Sequence, residues 1–200
     1  MRRKFMGVGL AAGILMLSMP PALCDAWEDI DAAMTRGDSA TAFRLVLELA
    51  QQGDLRAQSY LGFLYDHGKG VEEDDEQAFY WYKTAAERGH SGAQGNLCSK
   101  YIDRGTAADL EQAVLWCRRS AEQDHEFGQF LLGTLYLYGD GVKQDVVEAY
   151  KWFLLSQARA KTDSTRGLIS DSLQEAGEQL TQEQIEDAKR RAASWKPATP

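Results

Sequence analysis

The sequence predicts an all-α chain, a short right-handed α-solenoid built from antiparallel helix pairs. Two observations carry that expectation. Shifted against itself by 35 or 36 residues, the chain matches. Ala57-x-x-x-Leu61-Gly62-x-x-Tyr65 returns as Ala93-x-x-x-Leu97-Cys98-x-x-Tyr101 and as Gly128-x-x-x-Leu132-Gly133-x-x-Tyr136. Ala78-x-x-Trp81-Tyr82 returns as Ala113-x-x-Trp116-Cys117 and as Ala149-x-x-Trp152-Phe153. Self-similarity at this period marks stacked units, each too small to bury its apolar face alone. The second observation is that apolar residues within each unit recur at helical spacing on two segments joined by a glycine-containing turn.

The first element is an expected signal peptide, residues 1–24. Arg2, Arg3 and Lys4 precede an apolar run from Phe5 to Met19. That run is short for a membrane span, which needs about 20 apolar residues, and it suits a secretory leader. Cleavage after Cys24, cleavage after Ala26 and lipidation at Cys24 all remain open, although Leu23 and Pro21 fit lipidation poorly. The expected location is periplasmic or secreted, with no membrane span in the mature chain. Losing the three cations moves the net charge from −8 to −11. So acidic a chain argues against nucleic acid and anionic membrane as partners.

A partial unit follows at 25–53, where Ala42, Leu45, Ala50 and Gly53 stand 36 residues before Ala78, Trp81, Ala86 and Gly89. Three fuller units span 54–89, 90–124 and 125–160, and capping helices and a tail take 161–200. The first helix of each unit carries Ala57, Leu61, Leu64 and Tyr65 or their equivalents on one face. Gly62 and Gly133 lie inside it, where glycine costs about 1 kcal/mol against alanine; close approach of the partner helix is the expected compensation. The second helix is expected to open on an acidic cap three residues before Glu or Gln: Asp74 and Gln77, Asp109 and Gln112, Asp145 and Glu148. About eight mature helices result.

The stretch YDHGKGV at 65–71 has the look of a phosphate cradle, since backbone N–H groups and a lysine would face an anion. Its counterpart 71 residues on is YLYGDGV, with Asp140 in place of the lysine and both glycines kept. A phosphate loop needs the cation; a turn needs only the glycines, so turn geometry is the reading. Asp140, Asp145 and Glu148 invite calcium, but the last two are the capping pair. The sequence therefore points to no metal, no cofactor and no catalytic residues. His90, His125 and Asp54 share one position just before a first helix and read as caps. His67 lies in the turn.

These features resemble the Sel-one-like repeat family, a subclass of tetratricopeptide-like helical repeats. Residues 54–89 match its signature almost fully. Residues 90–124 depart from it, with a shorter loop at Arg104-Gly105-Thr106. Residues 125–160 match until Gln157 replaces an alanine. Leu180-Thr181-x-x-Gln184 through Trp195 looks like a closing helix. The resemblance implies a protein-protein scaffold without a shared active site. A hydrolase of cell-wall or antibiotic substrates, an activity suggested for cysteine-rich relatives, is the least favoured alternative because no nucleophile–base pair is visible.

Cys98 and Cys117 both fall in the deviant unit, one on each helix. An even count in an oxidising compartment favours a disulfide; buried unpaired thiols are the alternative. Trp81, Trp116, Trp152, Tyr65, Tyr101 and Tyr136 recur at the repeat period and read as core. The opposite stripe of the first helices, at 59, 63, 66 and equivalents, holds Phe63, Ile102, Phe130 and Leu137. The C-terminal helices are expected to cover Phe130 and Leu137. Phe63 and Ile102, flanked by Gln58, Gln94 and Gln129, form the expected groove for a protein or peptide, with a basic partner favoured by the acidic surface. A cell-wall glycan or small ligand is the runner-up, and contact of the pair with a neighbouring helix is the competing structural reading.

Overall fold

The computed structural model describes residues 21–198 and forms an α-solenoid of ten helices among them. The residues expected to form most of the signal peptide, 1–20, lie outside the described part. Helices α1 (Pro21–Thr35) and α2 (Ser39–Gln51) form the first pair. Then come α3 (Leu55–Asp66) with α4 (Asp75–Glu87), α5 (Ser91–Arg104) with α6 (Ala107–Glu122), and α7 (Glu126–Tyr138) with α8 (Val146–Arg159). Each second helix also packs on the first helix of the next unit, and three buried clusters follow one another along the stack, bridged by the partly buried Phe63, Tyr65 and Tyr136.

The segment at 25–53, which holds only part of the repeat signature, forms a complete pair. Trp27 and Ile30 on α1 are buried in one cluster with residues of α2 and α3, and Ala33, three residues further on, is buried as well. Both expected cleavage points precede Trp27. At the other end, α9 (Asp163–Glu178) and α10 (Gln182–Ser194) both pack on α8. Trp195 stacks its ring edge-on 5.8 Å from Trp152, and the Ala198 N–H donates to the Glu122 carbonyl at 2.7 Å. The acidic starts hold at two of three units: Asp74 and Asp145 accept from the Gln77 and Glu148 N–H groups. Their own N–H groups bond the Tyr65 and Tyr136 carbonyls across the loop, so no reciprocal capping box forms there. In the central unit the expected cap Asp109 is displaced. Gly105, in the left-handed region, ends α5 and Thr106 immediately caps α6, which starts a turn earlier; Asp109 becomes the third helical residue, its N–H donating to Thr106. The shorter loop leaves no room for a later start.

The YDHGKGV turn has a packing reason. Gly70 and Gly141 have φ of 76° and 66°, and a Cβ on either would overlap backbone, the Ser39 carbonyl on α2 or the Leu110 carbonyl on α6. The loop rests on the start of the preceding unit's second helix. Glycine is required for backbone contact, not for an anion.

Candidate functional site

The three glutamines expected to flank a groove are buried instead. Gln58, Gln94 and Gln129 donate from Nε2 to the Ala50, Ala86 and Ala121 carbonyls, each eight residues upstream near the end of the preceding second helix. Gln58 Oε1 accepts from Arg88, and Gln94 Oε1 from Gln123. Each of these carbonyls also accepts the backbone N–H of Gly53, Gly89 or Asp124 at 3.0 Å, so the glutamine fills the second lone pair of a helix-end carbonyl and ties that end to the next unit's first helix. Committed to these buried bonds, the three amides are not free for a ligand.

Within units, Gly62 faces the Tyr82 ring and Gly133 the Phe153 ring; a Cβ on either would lie 2.6 Å from a ring carbon. In the central unit Cys98 takes the glycine's place and Cys117 the aromatic's, and their sulfurs are joined as a disulfide, with Cα atoms 5.3 Å apart. That spacing suits a bridge without backbone movement.

The side of the stack formed by α1 and the first helices α3 and α5 carries two adjoining cavities of about 440 and 420 Å³ that share Phe63 and Asn96. The first is walled by Trp27, Asp31, Arg56, Ser59, Tyr60 and His90. Arg56 lies 3.8 Å over the Trp27 ring, and Tyr60 and Phe63 are stacked at 5.8 Å. The second takes Asp66, His67, Ser99, Lys100, Asp103 and Phe127. Phe127 also borders an apolar cavity of about 290 Å³ with Phe130, Leu168 and Ile169. Lys100 bonds Asp66 and, at 2.7 Å, Asp75. Burial opposes its charge, but the two carboxylates outweigh that and hold its pKa above the ordinary lysine value. The same bond lowers the pKa of Asp75. Burial, then the neighbouring Asp66, pushes the Tyr82 phenol upward.

Helix α3 presents positions 59, 63 and 66 to the groove as its periodicity predicts, so Phe63 is placed there. Ile102 is not. It packs half-buried against the central core, and α5 presents 96, 99, 100 and 103 instead. The reason is lateral: α5 touches α7 directly, and the flank carrying Gly95 and Ile102 is taken up by that contact, with Phe127 and Gly128 beside Gly95. Phe130 and Leu137 are covered, Leu137 buried with Ile169 and Ala176 of α9, and Phe130 packed against the same cluster. The groove residues missed by sequence reasoning are Trp27, Tyr60, Asn96 and Phe127. Tyr60, Asn96 and Leu131 share one repeat position, and so do Arg56, Gly92 and Phe127. These positions vary between units, and variation within a repeating frame was the available signal.

His90 caps α5, its Nδ1 accepting from the Ala93 N–H at 3.1 Å, and Asp54 caps α3 likewise. His125 holds the same position on α7 but makes no side-chain cap bond among the described residues. His67 ends α3, its Nδ1 3.2 Å from the Phe63 carbonyl. Trp116 and Trp152 are buried, Trp81 half-buried, and the Tyr65 and Tyr101 rings meet Phe43 and Phe79 edge-on at 5.4 and 5.2 Å.

Helix pairs stacked at a fixed period and leaving a lateral groove define a tetratricopeptide-like repeat protein. The family model for the Sel1 repeat matches residues 55–90, 91–125 and 127–156, about half of the chain, and the chain belongs to that family. Its proteins are generally protein-protein interaction scaffolds. Among curated relatives it is 43% identical over 49 residues to "Chitin synthase regulator SKT5" of Saccharomyces cerevisiae, covering 24% of this chain and 7% of that protein. It is 45% identical over 42 residues to "Sel1-repeat-containing protein YbeQ" of Escherichia coli, covering 20% and 13%. The matched segment thus spans only a small part of either relative. Among solved structures, a Sel1 repeat protein from Oxalobacter formigenes superposes with a TM-score of 0.52 at 31% identity, covering 63% of this chain and 95% of that one.

Proposed function

We propose that this chain is an exported scaffold that holds a protein or peptide segment in its concave groove. The observation that carries the reading is the run of adjoining cavities from Trp27 to Leu168, lined by aromatic side chains and by Asn96, which lies half-buried between the first two. Aromatic walls around a few polar groups suit recognition of an extended segment. Asp31 and Asp103 stand exposed on the groove without an ion-pair partner among the described residues; of the two cations there, Lys100 is held by two carboxylates and Arg56 lies over the Trp27 ring, so Asp31, Asp66 and Asp103 outnumber them. That balance favours a basic occupant. Export is supported by the N-terminal pattern of cations and apolar run, and by the Cys98–Cys117 bridge, which belongs in an oxidising compartment. The stacked Tyr60 and Phe63 rings keep a glycan as the second reading.

Phe127→Ser with Asn96→Ala tests the groove, because Phe127 is 37% exposed and neither residue belongs to a buried cluster. Cross-linked pull-down from the envelope fraction of the source cells should lose specific partners in the double variant while circular dichroism and melting stay near those of the parent. Capture should weaken as salt rises. A folded double variant that retains every partner overturns the reading, and retention of purified cell-wall glycan alone favours the second.

A further inference from the structure

Equivalent N-cap positions of three successive first helices hold Asp54, His90 and His125, and the two histidines share one space. The gap is left by Gly92: a Cβ there would lie 3.2 Å from His90 Cε1 and 3.4 Å from His125 Nε2. The His90 Nδ1 must be unprotonated to accept from Ala93, which leaves the proton on Nε2. The His125 Nδ1 is buried without a hydrogen-bond partner among the described residues. Both rings stand at helix N-termini, where the macrodipole disfavours positive charge. We propose that His90 and His125 form an acid-sensitive joint between repeat units, in which ring protonation removes the cap of α5 and sets two cations against each other at the ends of α5 and α7.

The surrounding charges do not cancel this. His90 is faced by Asp54 across the preceding joint and shares its cavity with Asp31 and Arg56. His125 is faced by His90 and Lys161, and shares its pocket with Asp124, Glu126 and Arg159. Arg159 is bonded to Asp124 at 2.7 Å. Burial lowers the His90 pKa against the opposing pull of Asp54; burial, then His90 and Lys161, lower that of His125. A depressed folded-state pKa gives stability that is present above the unfolded value of 6.5 and is lost as pH falls toward the folded value. His90 lines the first groove cavity and His125 the pocket beside Phe127. On the groove reading, then, the joint lets acid loosen the binding face.

The test does not depend on any ligand. Denaturant unfolding of the full processed protein at pH 7.5, 6.5, 5.5 and 5.0 should show stability falling below pH 6.5. The slope should correspond to up to about two extra protons bound on unfolding. His90→Asn with His125→Asn keeps a neutral capping side chain. It should lose that slope between pH 6.5 and 5.0 while matching the parent at pH 7.5. An unchanged slope overturns the proposal. Should the double variant fail to fold, histidine NMR titration of the parent decides: both rings should titrate below 6.5, with His90 in the Nε2–H form. Either ring titrating at or above 6.5 overturns the proposal. Loss of the slope with partner capture indifferent to pH would leave the joint standing and remove only its link to the groove.

Discussion

The central unit and its two neighbours close the same contact with different chemistry. In the flanking units a glycine on the first helix admits an aromatic ring from the second, Gly62 under Tyr82 and Gly133 under Phe153. In the central unit both partners have changed together, and Cys98 is bonded to Cys117. One substitution alone would either drive a ring into a Cβ-bearing residue or leave a void, and both are costly in a close-packed core. The paired change keeps the helices together through a covalent bond where ring contact is lost. What the position requires is therefore a short interhelical distance, not a particular side chain.

The largest expected effect comes from the residue next to the bridge. Trp116→Ala should cost ~3–5 kcal/mol, the usual range for truncating a buried aromatic, read as a large drop in melting temperature. Trp81→Ala should cost less, because Trp81 is only half-buried. Normal melting of Trp116→Ala with loss of a ligand would remove that tryptophan from the core.

Removing the bridge should come next. Cys98→Ser with Cys117→Ser should lower stability by about 2–4 kcal/mol, as expected for a loop closed by residues 19 apart. Cys98→Gly with Cys117→Phe, which rebuilds the neighbours' contact, should recover part of the loss. Mass spectrometry of the protein purified without reductant should find neither cysteine alkylated. Two reactive thiols would dissolve the comparison.

The smallest effect is at the glutamine joints. Gln94→Ala removes the second donor of the Ala86 carbonyl, which keeps the Gly89 N–H, and the Gln123 bond, leaving that amide only the Arg119 carbonyl at 3.4 Å; the loss of two hydrogen bonds should cost roughly 1–2 kcal/mol. Gln129→Ala should cost less, since its Oε1 lacks a partner among the described residues, its Ala121 bond is long at 3.4 Å, and its other bond, at 3.1 Å, goes to Asp124, which Arg159 also holds. Denaturant melts of the two variants side by side rank them, and the reverse order would mean that Gln129 holds its joint more firmly than its contacts show.

Repetition made most of the fold legible. Gly70 and Gly141 lost their phosphate reading because their neighbour changed from Lys69 to Asp140 while the glycines stayed, and the turn geometry follows. The same logic applied to Gln58, Gln94 and Gln129 identifies them as structural, because a residue kept at one position of every unit serves the joint between units. The displaced start of α6 was harder to read. Asp109 and Thr106 are both good caps, and choosing between them depends on how far α5 extends before Gly105.

By itself the sequence determined the repeat period, the three full helix pairs and the core places of Trp116 and Trp152; it put Cys98 and Cys117 on the two helices of one unit and left bridge and free thiols both open. Those depend on local periodicity and on identities compared across units. Only the tertiary structure decided which flank of α5 faces the groove. Ile102 and Asn96 are separated by less than two helical turns, and either would suit a surface stripe. The direct contact of α5 with α7 turns Ile102 into the core and leaves Asn96 between the cavities. That rotation is set by how neighbouring units pack against each other, and no single helix encodes it.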